Sequence, residues 1–325
     1  MNTLKSIYRF LSKRWQTLHL DYRVDFTPRS SPASGAGLVE IQAILEQQRS
    51  NIAGEVERIL HYTEQLHAIR KRSEESNPLL PAWNNNFLPG LDMAALYMFI
   101  AERRPKKYME VGSGNSTLVA AAAKNQCSTD TEIISIDPYP RADIDQVSQR
   151  IVRRPFEQVG TEWANELEAG DILFIDNSHR TLPNSDATVF FLEWLPRLKE
   201  GVIVQVHDVY LPWDYPQDMC VRGYSEQYVL AAMVMSNPDR YRPIFPAFWV
   251  AQQPEMKAAL APLWDNKNLH GVERHGARSS SERPCTVQHD RRPLTARRRS
   301  PALLPPGWRR VSRGYRGAIA GLSRG

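Results

Sequence analysis

Cysteine is scarce in this chain. It holds three, Cys127, Cys220 and Cys285, with no C-x-x-C pair among them. That scatter argues against a disulfide framework and a zinc knuckle, and it fits a reducing, cytoplasmic compartment. No apolar run approaches the roughly 20 residues that cross a bilayer, so no transmembrane segment is expected. The N-terminus also lacks the apolar core of a secretory signal. In its place stands an amphipathic basic stretch, LKSIYRFLSKRW. It suits a membrane surface or, more simply, a helix packing one face on its own domain. Lysine is missing from residues 272–325, which carry thirteen arginines and only Glu273, Glu282 and Asp290 as acids. That segment holds +10 of charge against +5 for the whole chain, so the remainder is mildly acidic at −5. A case for nucleic acid would rest on the tail alone, and nucleic acid is not expected as a partner.

What is present is an ordinary globular balance over 325 residues, 42% hydrophobic and 24% charged, enough for one sizeable core. Residues 1–79 read as a helical extension with a linker, FTPRSSPASGAGL, at 25–37. A long helical pattern runs from about 38 to 72. In it Ile41, Ile44, Leu45, Ile52, Val56, Ile59, Leu60, Leu66 and Ile69 recur at mostly helical spacing. This helix is either an arm for a homo-oligomer or a cover docked on its own domain. Residues 77–89 form a polar, Pro-broken loop carrying Trp83 and Phe87.

Residues 80–271 then alternate. A helix is expected at 92–103. Strand-like runs stand at 107–112, 132–137, 171–176 and 202–206, with a weak one near 151–156. Helices are expected at 115–125, 141–151, 160–168, 185–199 and 222–236. Strands alternating with helices predict βαβ units: an α/β, doubly wound, mostly parallel sheet with helices on both faces. After Gly271 periodicity is lost. Residues 272–325 are expected to be disordered, and their arginine without lysine suggests a frameshift product.

YMEVGSGNSTLVAAAA (108–123) is a strand, a tight glycine turn and a helix. Gly112 and Gly114 let the backbone turn sharply and approach a ligand, and the helix start offers free N–H groups. A dinucleotide fingerprint would need Gly or Ala at 117, where Thr117 stands. Asp137 ends the second strand in SIDPYPR. Its carboxylate suits the two hydroxyls of an adenosine ribose or, beside Pro138, a turn.

EVGSGNST, SIDPYPR, AGDILFIDNSH and LKEGVIVQVHDVYLPWDYP together resemble the successive motifs of class I S-adenosylmethionine-dependent methyltransferases over about residues 80–270. The nearest group resembles bacterial enzymes with small-molecule or saccharide O-methyltransferase relatives. The resemblance implies a Rossmann-like domain. It also implies that Glu110, Gly112, Ser113, Gly114 and Ser116 hold the methionine moiety of S-adenosyl-L-methionine, while Asp137 holds its ribose. Ser116 replaces the family's usual third glycine. Such relatives close the sheet with a late antiparallel edge strand. Here it would begin near Gly271, where the chain turns arginine-rich.

FIDNSH places Asp176 at a strand end with His179 three residues on, and QVHDVYLP places His207 and Asp208 at the next. Three uses stay open. His179 or His207, paired with Asp176, suits general-base removal of an acceptor proton. Asp176 and Asp208 suit a divalent metal such as Mg2+, as related catechol-type enzymes use strand-end carboxylates. Structural hydrogen bonding is the third. Arg141 and Arg180, just past strand ends, suit an anionic acceptor or, more simply, a solvated helix start, and Tyr210, Trp213 and Tyr215 suit either stacking on an aromatic or sugar ring or packing of a Pro-rich loop. The expected function is methyl transfer to a hydroxyl of a small molecule or saccharide. The alternatives are an NAD(P)- or flavin-binding oxidoreductase and a non-catalytic nucleoside-binding relative.

Overall fold

The structure, a computed structural model, describes residues 7–8, 10–12, 16–35, 37–266 and 269. The chain divides into two units, Met1–Ser280 and Ser281–Gly325, and every described residue belongs to the first. The tail 272–325, with the disorder and frameshift origin expected of it, lies outside the described residues. So does most of LKSIYRFLSKRW. Its described apolar side chains Ile7, Tyr8, Phe10 and Leu11 are exposed, so they do not pack on the domain as expected. Among the described residues no helix is long and apolar enough to cross a membrane.

Five strands form one all-parallel sheet: β1 (Lys107–Val111), β2 (Glu132–Ile136), β3 (Arg150–Val152), β4 (Ile172–Ile175) and β5 (Ile203–Val206). Their order is β3-β2-β1-β4-β5. The crossover direction therefore reverses between β1 and β4, and a crevice opens beyond their carboxyl ends. Alternation splits the core in two. Tyr108, Ile133, Ile172 and Phe174 face one layer, with α4 (Gly90–Arg103) and α5 (Asn115–Gln126). Met109, Ile134, Leu173 and Ile175 face the other, against Phe156, Phe190, Phe191 and Trp194. At about 25 cal/mol per Å² of apolar area, such fully covered central strands supply much of the driving force for folding. By contrast every residue of β5 is half-exposed, and among the described residues nothing pairs with its outer edge.

The expected single helix at 38–72 is three: α1 (Val39–Gln47), α2 (Arg49–Leu60) and α3 (Thr63–Ala68). The chain bends at Gln48 and at His61–Tyr62, so each piece follows the domain surface. Ile41, Leu45, Ile52, Val56, Ile59 and Leu66 are buried in the same core as β1. That apolar face is spent on its own domain.

The helix expected at 141–151 does not form. Ile144 and Val147 are too few apolar positions to bury a helical stripe, and the residues instead turn into β3. Between Gly160 and Gly170 a 3₁₀ stretch, Thr161–Glu166, stands where an α-helix was expected. The expected helix 185–199 is α6 (Asp186–Val189), a π turn (Phe190–Trp194) and a 3₁₀ turn in which Pro196 stops propagation. Gly223, at φ +73°, separates α7 (Gln217–Val221), which was not expected, from α8 (Glu226–Ser236), which fills most of the helix expected at 222–236. Three short helices follow: α9 (Ala247–Val250), α10 (Pro254–Ala259) and α11 (Ala261–Trp264).

Candidate active site

The glycine turn joins β1 to α5. Gly112 has φ +80°, and a Cβ there would stand 1.9 Å from the Asp176 carbonyl oxygen. Only glycine lets the β1 and β4 ends close, with Asp176 N donating to Val111 O at 2.9 Å. Beneath the turn Glu110 is fully buried. Its carboxylate accepts from the hydroxyls of Ser135 (2.7 Å), Ser116 (2.8 Å), Tyr108 (3.2 Å) and Thr117. Burial pushes its pKa up to about 7, against those four donors, which favour the charged form. The structure thus places Glu110 inside the protein, pinning the loop and the α5 start from below. The serine at 116, where a glycine is usual, supplies one of those pins.

Asp137 sits half-buried at the β2 end. Oδ2 accepts from Ser113 N (2.7 Å) and Ser113 Oγ (3.2 Å), and Oδ1 from Tyr139 N (2.7 Å). It is a turn residue and a brace on the glycine loop at once. Oδ1 carries one bond and has capacity for another.

Above the loop lies a cavity of about 270 Å³, walled by Phe87, Leu88, Ser113, Gly114, Asn115, Ser116, Arg141, Phe174 and Asp176. The first-turn N–H groups of α5 and the hydroxyls of Ser113 and Ser116 suit an anionic end of a ligand. Arg141 leans over the Phe87 ring at 5.1 Å and reaches Asp176 at 3.4 Å. A second cavity, about 340 Å³, is walled by Pro89, Leu91, Asp92, Asp208, Val209, Tyr210, Ala247 and Phe248. One loop serves both. Asn84 and Asn86 adopt positive φ, which asparagine tolerates, and buried Asn85 accepts from the N–H groups of Phe87 (3.0 Å) and Leu88 (2.8 Å). The loop so fixed presents Phe87 and Leu88 to the first cavity and Pro89–Asp92 to the second.

Asp176, His179, His207 and Asp208 do meet, between the two cavities. His179 Nε2 is 3.3 Å from Asp176 and 3.6 Å from Asp208. His207 Nδ1 is 3.6 Å from each of the same carboxylates, beyond hydrogen-bond distance. Both rings are buried, at 5% and 4% exposure. Nothing in the residue pattern pointed to Glu226, fully buried at the α8 start, whose Oε1 lies 2.5 Å from His179 Nδ1. Backbone bonds from Ser225 N and Glu226 N to His179 O clamp the His179 turn, at φ +61°, onto α8. The Tyr224 ring stacks on the imidazole at 4.6 Å.

Burial opposes charge on both imidazoles, but the carboxylates overcome it. Asp176 and Glu226 raise His179 to about 9, and Asp208, Asp176 and Asp92 raise His207 to about 10. Asp176 is held well below the usual carboxylate range: burial opposes this, and the two imidazoles outweigh it. Both shifts favour the protonated imidazole, which weighs against the resting proton acceptor expected of His179 or His207. The carboxylate oxygens engage imidazoles, and among the described residues no group of three or more His, Cys, Asp or Glu is arranged to hold a metal ion. The Mg2+ expected at Asp176 and Asp208 finds no support in this arrangement.

Arg180 is occupied, donating to Arg222 O and Ser178 O. Of the three loop aromatics, Tyr210 walls the second cavity, Trp213 packs on Phe248, and Tyr215 is buried with its hydroxyl accepting from Gln227 N.

Two solved structures resemble the chain. One is the methyltransferase PaMTH1 of Podospora anserina bound to S-adenosylhomocysteine, at 15% identity, over 56% of this chain and 80% of that one, with a TM-score of 0.35. The other is a putative protein-L-isoaspartate O-methyltransferase of Plasmodium falciparum with S-adenosyl-L-homocysteine, at 17%, over 36% and 60%, with a TM-score of 0.24. No curated protein matches. Residues 109–209, from the middle of β1 through β5 to the start of the second cavity, match the family model described as a methyltransferase domain. The order β3-β2-β1-β4-β5, the glycine turn at the switch point and that match agree: the chain carries a methyltransferase domain of the class I, S-adenosylmethionine-dependent kind.

Proposed function

We propose that the protein transfers a methyl group from S-adenosylmethionine to a hydroxyl of a small molecule or saccharide. The observation that carries this reading is that Asp176 stands in the wall of one cavity and Asp208 in the wall of the other, each within 3.6 Å of His179 and His207. The cavity above the glycine turn is the place we assign to the cofactor, on the donors that line it. Ser113, Gly114, Asn115 and Ser116 offer N–H and hydroxyl donors to its carboxylate, Asp137 offers Oδ1 to a ribose hydroxyl, and Glu110 with Gly112 fixes the loop beneath. S-adenosylmethionine supplies an activated methyl group and departs as S-adenosylhomocysteine.

The protein's part is alignment and proton removal. With both imidazoles protonated, the acceptor proton goes to a carboxylate. Asp208 walls the acceptor cavity and is the group placed to take it, as the acceptor oxygen bonds to the methyl carbon. His179 and His207 hold Asp208 and Asp176 in place. Asp176, on the cofactor side and ionised at any working pH, offsets the positive charge of a sulfonium. Asp208→Asn should lower turnover by about 10²–10⁴-fold and leave S-adenosylhomocysteine affinity near wild type in calorimetry. A protein that binds no S-adenosylhomocysteine, or an Asp208→Asn variant of full activity, overturns this reading.

A further inference from the structure

We propose that Asp92 selects the acceptor, requiring a hydrogen-bond donor on the atom next to the methylated hydroxyl and excluding an anion there. This rests on the reading of the second cavity as the acceptor site. Asp92 and Asp208 stand in its wall, contributed by the first turn of α4 and the end of β5, and no lysine or arginine lines it. Opposite them are Tyr210 and Phe248, ring centroids 4.7 Å apart, a surface for the apolar face of a six-membered ring.

The two carboxylates differ in partners. Asp208 lies 3.6 Å from each of two imidazolium rings. Asp92 feels His207 and Asp208 only through space, and its carboxylate, pushed up to about 6 by burial, holds no hydrogen bond to another side chain. His207, 4% exposed, has no hydrogen bond at either ring nitrogen. Asp92 is only half-buried, in the cavity wall, and a carboxylate so placed gains from a donor brought by the ligand. An acceptor that gives one hydroxyl to Asp208 gives its neighbouring donor to Asp92. That makes the ligand class a vicinal diol or amino alcohol, as on a sugar ring. A carboxylate, sulfate or phosphate at the neighbouring position would face Asp92 without a counter-charge.

The test uses the full chain saturated with S-adenosylhomocysteine and saturation-transfer NMR. The probes are trans-1,2-cyclohexanediol, trans-2-aminocyclohexanol and trans-2-hydroxycyclohexanecarboxylate. The diol or the amino alcohol should bind, and which of them binds tighter tells whether the neighbouring donor is neutral or cationic. The hydroxycarboxylate should not bind. Asp92→Asn should weaken the donor-bearing probes by roughly 10–100-fold, the scale of a charge-assisted hydrogen bond, and admit the hydroxycarboxylate. Unchanged S-adenosylhomocysteine affinity certifies the variant as folded, and the gain of hydroxycarboxylate binding cannot come from misfolding. No transfer to either donor-bearing probe, equal binding of the hydroxycarboxylate to wild type, or an Asp92→Asn variant with wild-type preferences overturns the proposal. Failure of S-adenosylhomocysteine to bind overturns the methyltransferase reading instead.

Discussion

Gly112→Ala is the sharpest test of the site's architecture. The substitution adds one methyl group at φ +80°, with its carbon 1.9 Å from the Asp176 carbonyl oxygen and 3.0 Å from the carbonyl carbon. A backbone atom cannot rotate away as a side chain can. The β1 and β4 ends must part, which strains the 2.9 Å bond from Asp176 N to Val111 O. Left-handed backbone costs a non-glycine residue about 1–2 kcal/mol. Forcing an extra carbon into packed structure costs about 1–3 kcal/mol more. The sum, about 2–5 kcal/mol, is a large part of the 5–15 kcal/mol that typically separates folded from unfolded. The variant should therefore fold with a clearly lowered urea midpoint. Gly114→Ala is the control, since a Cβ there meets only the Arg141 Cβ at an ordinary 3.5 Å. It should keep its midpoint within about 1 kcal/mol and lose S-adenosylhomocysteine affinity, because Gly114 and Arg141 both wall the cofactor cavity. A Gly112→Ala variant within about 0.5 kcal/mol of wild type would refute the reasoning about the strand-end closure.

Asp137→Ala removes the brace on Ser113 and should weaken S-adenosylhomocysteine by about 1–3 kcal/mol in calorimetry; unchanged affinity would take Asp137 out of the site. Glu226→Gln removes a charge 2.5 Å from His179, so NMR titration should find that imidazole's pKa lowered from about 9 by a unit or more. EDTA should leave turnover intact; loss on chelation with recovery on adding magnesium would restore a metal to Asp176 and Asp208. Stability should fall as pH rises from about 5 to 10. Glu110, raised from 4.5 to about 7, contributes fully below 4.5 and loses that contribution through 7. The two histidines, raised from 6.5, contribute below 6.5 and lose it through 9 and 10. Asp176, lowered from 3.8, contributes above 3.8 and weakens the protein only in strong acid. Urea midpoints across that range check the sum, and Glu110→Gln should erase the step near pH 7.

The sheet was legible because its signal is local. Three buried strands and the half-buried β5 announce themselves as short apolar runs, and the glycine turn and acidic strand end sit at fixed places relative to them. The helices that failed are those whose fate depends on space. Residues 141–151 and 160–168 have helix-compatible composition, but one lacks an apolar stripe and the other winds as a 3₁₀ stretch, Thr161–Glu166. The bends at Gln48 and His61 are set by the curvature of the surface that α1, α2 and α3 cover, which no spacing of isoleucines reveals.

The site divides along the same line. Asp176, His179, His207 and Asp208 are near in sequence to two adjacent strand ends, so their convergence was readable. Asp92 and Glu226 come from helix starts, where an acidic residue in the first turn is ordinary, and Phe248 comes from the short α9, far along the chain. These distant groups change the chemistry. Two histidines beside two aspartates suggest a base poised near neutrality. Adding the buried charge of Glu226 and the field of Asp92 tilts the balance. Each imidazole is then outnumbered by carboxylates, which raises its pKa and favours our proposal that Asp208 takes the acceptor proton. The division of labour between imidazole and carboxylate thus follows from how many charges the fold gathers, and only the folded chain can count them.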